Sequence, residues 1–155
     1  MAASRFLGAV AVAAGALVLA TSAAASAPRH GTGTSTLTSS TVLSARQADG
    51  NTIVEQIDTR ADAGAFTGSV TEHLWLVVHP SGLITLHAEA SLSGTYEGCG
   101  ATPVTQSIRL AGQISPTGEV SATFATVGGA PIVVNGTVEG TTATDTVNFT
   151  ISYHC

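Results

Sequence analysis

The chain contains no lysine, and charged residues of either sign make up only 10% of its 155 residues. Its five cationic side chains are all arginines, and with ten acidic residues they give a formal net charge of −5. Proteins that bind nucleic acids neutralise phosphates with clustered lysine and arginine. We therefore expect no nucleic-acid partner. A phosphate-binding loop that depends on lysine is also excluded.

Signatures of catalysis and of cofactor binding are missing as well. The sequence has no Gly-x-Ser-x-Gly motif, and no histidine stands beside a nucleophile in a pattern typical of hydrolases. No motif for a cofactor is present. We expect a protein without a cofactor, and these absences favour a non-enzymatic role.

Only one apolar run is long, and it lies near the N-terminus. Arg5 precedes the run 6–20, and small residues follow over 21–27, which is the pattern of a secretory signal peptide. The run is shorter than the roughly 20 residues that span a bilayer. No cysteine stands directly after the predicted cleavage site, where it could carry a lipid. We predict a signal peptide over 1–27 and a secreted, extracellular protein without a membrane anchor.

Cysteine is scarce too, with Cys99 and Cys155 as the two examples, both in the part predicted to be exported. An oxidising exterior favours a disulfide between them. In the chain-entropy model, closing a loop of this length contributes roughly 4 kcal/mol. We predict this bond, which ties the last strand to the turn around Cys99. A pair of reactive or metal-binding thiols is the alternative.

The exported part does contain many short runs rich in Thr, Val and Ile, separated by turn-forming residues. Residues 28–36 are mostly Gly, Thr and Ser, which predicts a flexible lead-in. A single domain over 37–155 follows, with strands predicted at 37–46, 51–59, 66–78, 83–94, 104–114, 119–127, 131–139 and 145–154. We predict an all-β fold, an eight-stranded antiparallel barrel, with a β-sandwich as the alternative.

The clearest hairpin crosses the turn 79–82, where proline and glycine suit a tight turn. Because side chains alternate along strands, one face of this hairpin is aliphatic and predicted to be core. The other face carries His73, Trp75, His87 and Glu89, and the turn predicts a register with His73 opposite Glu89 and Trp75 opposite His87. We hypothesise that these four residues contact a ligand. Two alternatives are a solvated strand face and a metal or proton-transfer site built on the histidines and the carboxylate.

Several turn and strand motifs resemble those of a known family. They are found at 48–52, 66–68, 77–82, 92–95 and 138–141. In this order they resemble secreted bacterial proteins of unknown function related to the allene-oxide-cyclase-like barrel, and the similarity spans most of the exported chain. The resemblance implies an eight-stranded, calycin-like antiparallel barrel. It implies no established activity and no catalytic residue.

Three functional hypotheses follow from these patterns. The first is a secreted protein that binds a small, mostly apolar ligand in the barrel mouth, since eight-stranded barrels have an interior of suitable size. Trp75 and the histidine face would then be the contacts. The second is an isomerase or cyclase that shapes a flexible substrate in the same cavity. The third is an extracellular interaction protein without a pocket. A cavity lined by His73, Trp75 and His87 would favour ligand binding, and an enzyme would also need a titrating group directed into it. A filled, aliphatic interior would favour the interaction protein.

Overall fold

The computed structural model describes residues 27–155. These residues form eight β-strands, which are β1 (Arg29–Ala48), β2 (Asn51–Gly64), β3 (Phe66–Val78), β4 (Ile84–Tyr96), β5 (Val104–Ile114), β6 (Glu119–Thr126), β7 (Val133–Thr141) and β8 (Thr146–His154). Each strand pairs antiparallel with the next, and β8 pairs with β1, so the sheet closes into a barrel. The predicted all-β antiparallel barrel is confirmed, and the β-sandwich does not form.

The two N-terminal predictions, a signal peptide and a flexible lead-in, have different outcomes. The predicted signal peptide over 1–27 lies outside the described residues, except for Ala27. The flexible lead-in over 28–36 is wrong, because residues from Arg29 onward belong to β1 and pair with β8 from Arg29↔Tyr153 to Thr36↔Thr146. This pairing closes the barrel.

The glycines of this segment serve close packing rather than flexibility. A Cβ atom on Gly31 would lie 2.3 Å from Cβ of Ala65, and one on Gly33 would lie 2.2 Å from the Phe149 ring. Both distances are far below van der Waals contact. A side chain at either position would therefore push β1 away from its neighbours, which is why a glycine-rich segment can be ordered here.

The two ends of the barrel differ in construction. The hairpin turns that follow β1, β3, β5 and β7 all lie at one end, which we call the mouth, since alternate turns of an antiparallel barrel share an end. The segments 97–103 and 127–132 and the C-terminal Cys155 lie at the other end. Over 27–155, no helix is long and apolar enough to cross a membrane.

An aromatic plug fills the end opposite the mouth. Its rings are Phe66, Tyr96 and Tyr153, with centroids 4.9 Å apart for Phe66–Tyr96 and 5.4 Å for Tyr96–Tyr153. The amide of Gln106 donates a hydrogen bond to Oη of Tyr96 at 2.7 Å. Burial raises the pKa of Tyr96 to about 12, so this phenol stays neutral. The plug therefore closes this end of the barrel.

The predicted disulfide lies beside the plug. Cys99 and Cys155 are bonded, with their Cα atoms 5.5 Å apart, and the described residues contain no free cysteine. The bond joins the β4–β5 connection to the residue that follows β8. It therefore fixes the C-terminal end of the chain against the closed end of the barrel.

Candidate functional site

The residues predicted to contact a ligand do share one face. In the β3–β4 pair, His73 lies opposite Glu89 and Trp75 lies opposite His87, which is the predicted register. Their neighbours Leu74, Leu86 and Ala88 are buried and point to the interior. Because successive side chains alternate, the four predicted residues point outward from the barrel wall.

The outer wall is held by ordinary surface contacts. Nε2 of His73 lies 2.7 Å from Oε1 of Glu55, and the His73 and Trp75 rings stack with centroids 4.1 Å apart. Arg109 donates to Oε1 of Glu89 at 3.2 Å, although both side chains are largely exposed. Exposed ion pairs contribute about 0 to 1 kcal/mol. These contacts organise the outer wall of the barrel.

The structure thus corrects where these residues lie relative to the barrel interior. None of His73, Trp75, His87 and Glu89 lines the interior cavity. They border shallow, open grooves on the outer surface instead. Contact of this face with a ligand stays a prediction, separate from the barrel cavity.

The barrel encloses a cavity of about 290 Å³. Most of its wall is aliphatic or aromatic and comes from β3 to β8, including Leu74, Leu86, Leu92, Ile108, Leu110, Ile114, Val120, Phe124, Val138 and Phe149. Residues Thr142, Thr144 and Asp145, in the turn after β7, line it at the mouth. Ligand pockets span about 300 to 1,000 Å³. This cavity therefore suits a small ligand.

One side of the cavity is polar. Its side chains come from β1, β2 and β3, and we call them the acidic band: Ser35, Gln56, Asp58, Arg60, Asp62 and Glu72. The band contains three carboxyl groups and one guanidinium group. Charged residues are almost never buried unless they are paired. The pairing inside the band therefore decides what the cavity can bind.

Glu72 has the most perturbed environment in the band. It lies directly opposite Asp58 in the β2–β3 pair, and like charges opposite each other are unfavourable. Burial, with smaller contributions from Asp58 and Asp62, raises its pKa to about 7 despite the opposing effect of Arg60. Glu72 therefore exchanges a proton near neutral pH.

Asp62 lacks a full set of partners. Its Oδ1 atom is buried and has no hydrogen-bond donor within the described part of the chain. Burial raises the pKa of Asp62, while the Ser35 hydroxyl and the charge of Arg60 act in the opposite direction. An unsatisfied buried acceptor costs about 1 to 3 kcal/mol. Such an atom is a position where a ligand donor would be favourable.

Arg60 is directed toward β1. Its Nε donates to the Ser35 hydroxyl at 2.9 Å, and one terminal nitrogen donates to the Ser35 carbonyl at 3.2 Å. Neither of the two ion pairs found between 27 and 155 includes Arg60. Its charge therefore acts on the carboxyl groups at longer range only.

Asp58 is the best-satisfied carboxyl group of the band. The Gln56 amide donates to both of its oxygens at 3.1 Å. Asp58 thus has its hydrogen-bond acceptors occupied, although it lies directly opposite Glu72.

Sequence reasoning missed the band because of the pattern in β2. Polar or charged residues occur at every second position over 56–62, which is typical of a solvent-facing side. In the structure these positions face inward, and Ile57 faces outward with 36% exposure. A signal was present in β3, where Glu72 has the same parity as the core residues Val70 and Leu74. A lone carboxyl group on an aliphatic face indicates an interior polar site.

The described residues contain no group of three or more His, Cys, Asp or Glu side chains arranged to hold a metal ion. Comparison with protein-family models finds no match, and no curated protein is similar to the chain. The cavity and its acidic band are therefore the observations on which a function can be argued.

Proposed function

We propose that this protein binds a small, mostly apolar ligand inside the barrel. The observation that carries the proposal is the interior cavity of about 290 Å³ with its aliphatic wall. Protein interiors are otherwise close-packed, and an unfilled apolar volume lowers stability. A ligand that filled it would recover dispersion contacts and remove its own apolar surface from water. The cavity favours this function over an interaction protein without a pocket.

Titration calorimetry with octanol, an uncharged amphiphile, tests the proposal. We expect saturable binding of one octanol per chain. Ala122→Leu places a larger side chain in the cavity, whereas Ala125→Leu places the same group on the exposed side of the same strand. The first variant should weaken binding at least tenfold, and the second should not. Absence of saturable binding to the folded wild-type protein would contradict the proposal.

A second candidate is an isomerase or cyclase, and Glu72 is the observation that favours it. A carboxyl group with a pKa of about 7 can both donate and accept a proton at neutral pH. Incubation with methyl hexyl ketone in deuterated water tests this reading by NMR. Exchange of protons beside the carbonyl that is lost in Glu72→Gln would support proton-transfer chemistry. Equal exchange in both proteins would leave ligand binding as the function.

The compartment is also part of the proposal. The N-terminal apolar segment and its small-residue tail support secretion, and the Cys99–Cys155 disulfide is typical of an oxidising exterior. A relationship to allene-oxide-cyclase-like proteins is proposed from the turn and strand motifs of the sequence alone. Mass spectrometry of the protein from culture medium should show a chain cleaved within 21–27 and two protons lighter than its reduced form. An intact N-terminus in a cell-retained protein would contradict secretion.

A further inference from the structure

The acidic band limits which head group a ligand can carry. The band places the carboxyl groups of Asp58, Asp62 and Glu72 at the cavity against the single guanidinium group of Arg60, and Asp145 adds a fourth carboxyl group at the mouth. Arg60 donates to Ser35 and makes no ion pair with any of them in the described structure. An anionic head group would thus meet excess negative charge and a cation that is already engaged.

The band also contains hydrogen-bond acceptors that the protein leaves open. Oδ1 of Asp62 is buried with no donor. The described chain offers no hydrogen-bond partner to Glu72, whose side chain lines the cavity opposite Asp58. A protonated amine supplies three donors and one positive charge, so it complements both unpartnered groups. An alcohol supplies one donor and no charge.

We propose that the cavity selects amphiphiles with a protonated amine, whose apolar body lies against the aliphatic wall and whose ammonium group lies at Asp58, Asp62 and Glu72. This inference rests on the proposed ligand-binding function and names the class of ligand. It also accounts for carboxyl groups that neither the packing of the barrel nor its ion pairs require.

Amine binding should depend on pH. The ionised form of Glu72 attracts the ammonium group, and its pKa of about 7 means that this form increases from pH 6 to pH 8. The groups facing Glu72 are Asp58, Arg60 and Asp62 on β2, while its partner on β4 is the uncharged Ala90. Tyr96 and Asp145 are the other titratable groups of the cavity. An alkylamine, with a pKa of about 10, stays protonated over this range.

Calorimetry with octylamine, octanol and octanoate tests the inference, because the three share one chain length and differ only in the head group. At pH 8 we expect octylamine to bind at least tenfold more tightly than octanol, and octanoate to bind more weakly than octanol. At pH 6 the advantage of octylamine should shrink severalfold. Proton release on amine binding, measured in buffers of different ionisation enthalpy, should accompany it.

Two variants assign the effect to the band. Glu72→Gln and Asp62→Asn should each reduce the ratio of octylamine affinity to octanol affinity. Glu139→Gln, an exposed residue on β7, is the matched control and should change neither affinity. Thermal unfolding of each variant establishes that it is folded before titration.

The outcomes separate the inference from the function on which it rests. If octanol binds as tightly as octylamine at both pH values, the amine preference is overturned and the cavity remains a site for uncharged ligands. If octanoate binds most tightly, the preferred charge is the opposite of the one inferred. If none of the three binds to the folded protein, both the inference and the proposed function fail.

Discussion

Strands β2 to β5 carry charged side chains on both walls of the barrel, but those on the outer wall are exposed to water and those on the inner wall are enclosed. On the outer wall, His73 contacts Glu55 at 2.7 Å and Arg109 contacts Glu89 at 3.2 Å, with water available to every group. On the inner wall, Glu72 and Asp62 face a cavity without an ion pair. A charged group in water costs little free energy, whether or not it is paired. An enclosed charged group instead has a shifted pKa or is stabilised by a ligand. The environment of a carboxyl group therefore indicates more about function than its neighbours in sequence do.

Leu86 and His87 provide the comparison with the largest expected change in stability, because they are adjacent and point to opposite walls. Leu86 is 4% exposed, so Leu86→Ala should destabilise the barrel by about 3 kcal/mol through lost burial and a larger cavity. His87→Ala should cost less than about 1 kcal/mol. Urea unfolding of both variants provides the comparison. Equal costs would mean that His87 is also a packing residue.

Gly33 and Thr34 make the same comparison on β1, the strand that closes the barrel. Gly33→Ala places a Cβ against Phe149 and the carbonyl of Ala63 and should cost about 2 to 3 kcal/mol. Thr34 is exposed, so Thr34→Ala should cost less than about 1 kcal/mol. Thermal unfolding measures both. A neutral Gly33→Ala would indicate that residues 29–36 are not held in the barrel.

Glu72 and Glu89 compare carboxyl groups on the two walls. The pKa of Glu72 is raised from 4.5 to about 7, so the folded protein keeps a proton that the unfolded chain has lost between these values. The contribution of Glu72 to stability is thus greatest below pH 4.5 and falls as pH rises toward 7. Glu72→Gln removes this loss and should stabilise the protein by about 2 kcal/mol at pH 8, with no gain near pH 4.

The same measurement on Glu89→Gln is the control. Glu89 is largely exposed, so its replacement should change stability by less than about 1 kcal/mol at either pH. The pKa of Asp62 is raised, as is that of Glu72, so part of the pH dependence of stability should persist in Glu72→Gln. A wild-type stability that is constant from pH 4 to pH 8 would contradict the enclosed state of Glu72.

The smallest effect is expected for the His73–Glu55 contact. A double-mutant cycle with His73→Ala and Glu55→Ala should give a coupling energy below about 1 kcal/mol, which decreases further in high salt. A coupling of several kcal/mol would mean that the outer wall is shielded from water, for example by a bound partner. Unfolding at low and high ionic strength decides between these outcomes.

The alternation of side chains along β3 and β4 was the basis for predicting the hairpin register. The turn at 79–82 and period-two alternation were sufficient to place Trp75 opposite His87 and to separate the aliphatic face from the polar face. The same reasoning failed for 28–36, where glycine suggests flexibility but in fact allows contact with Ala65 and Phe149. Close packing between segments far apart in sequence has no local signal.

Alternation, turn residues and simple counting were sufficient to predict the all-β class, the eight strands, the hairpin register and the partner of Cys99. The closed barrel was needed to show that the polar side of β2 faces inward and that Glu72 meets Asp58 beside a cavity. The physical reason is closure: alternation separates two faces of a strand, but only the curvature of the closed sheet decides which face is enclosed.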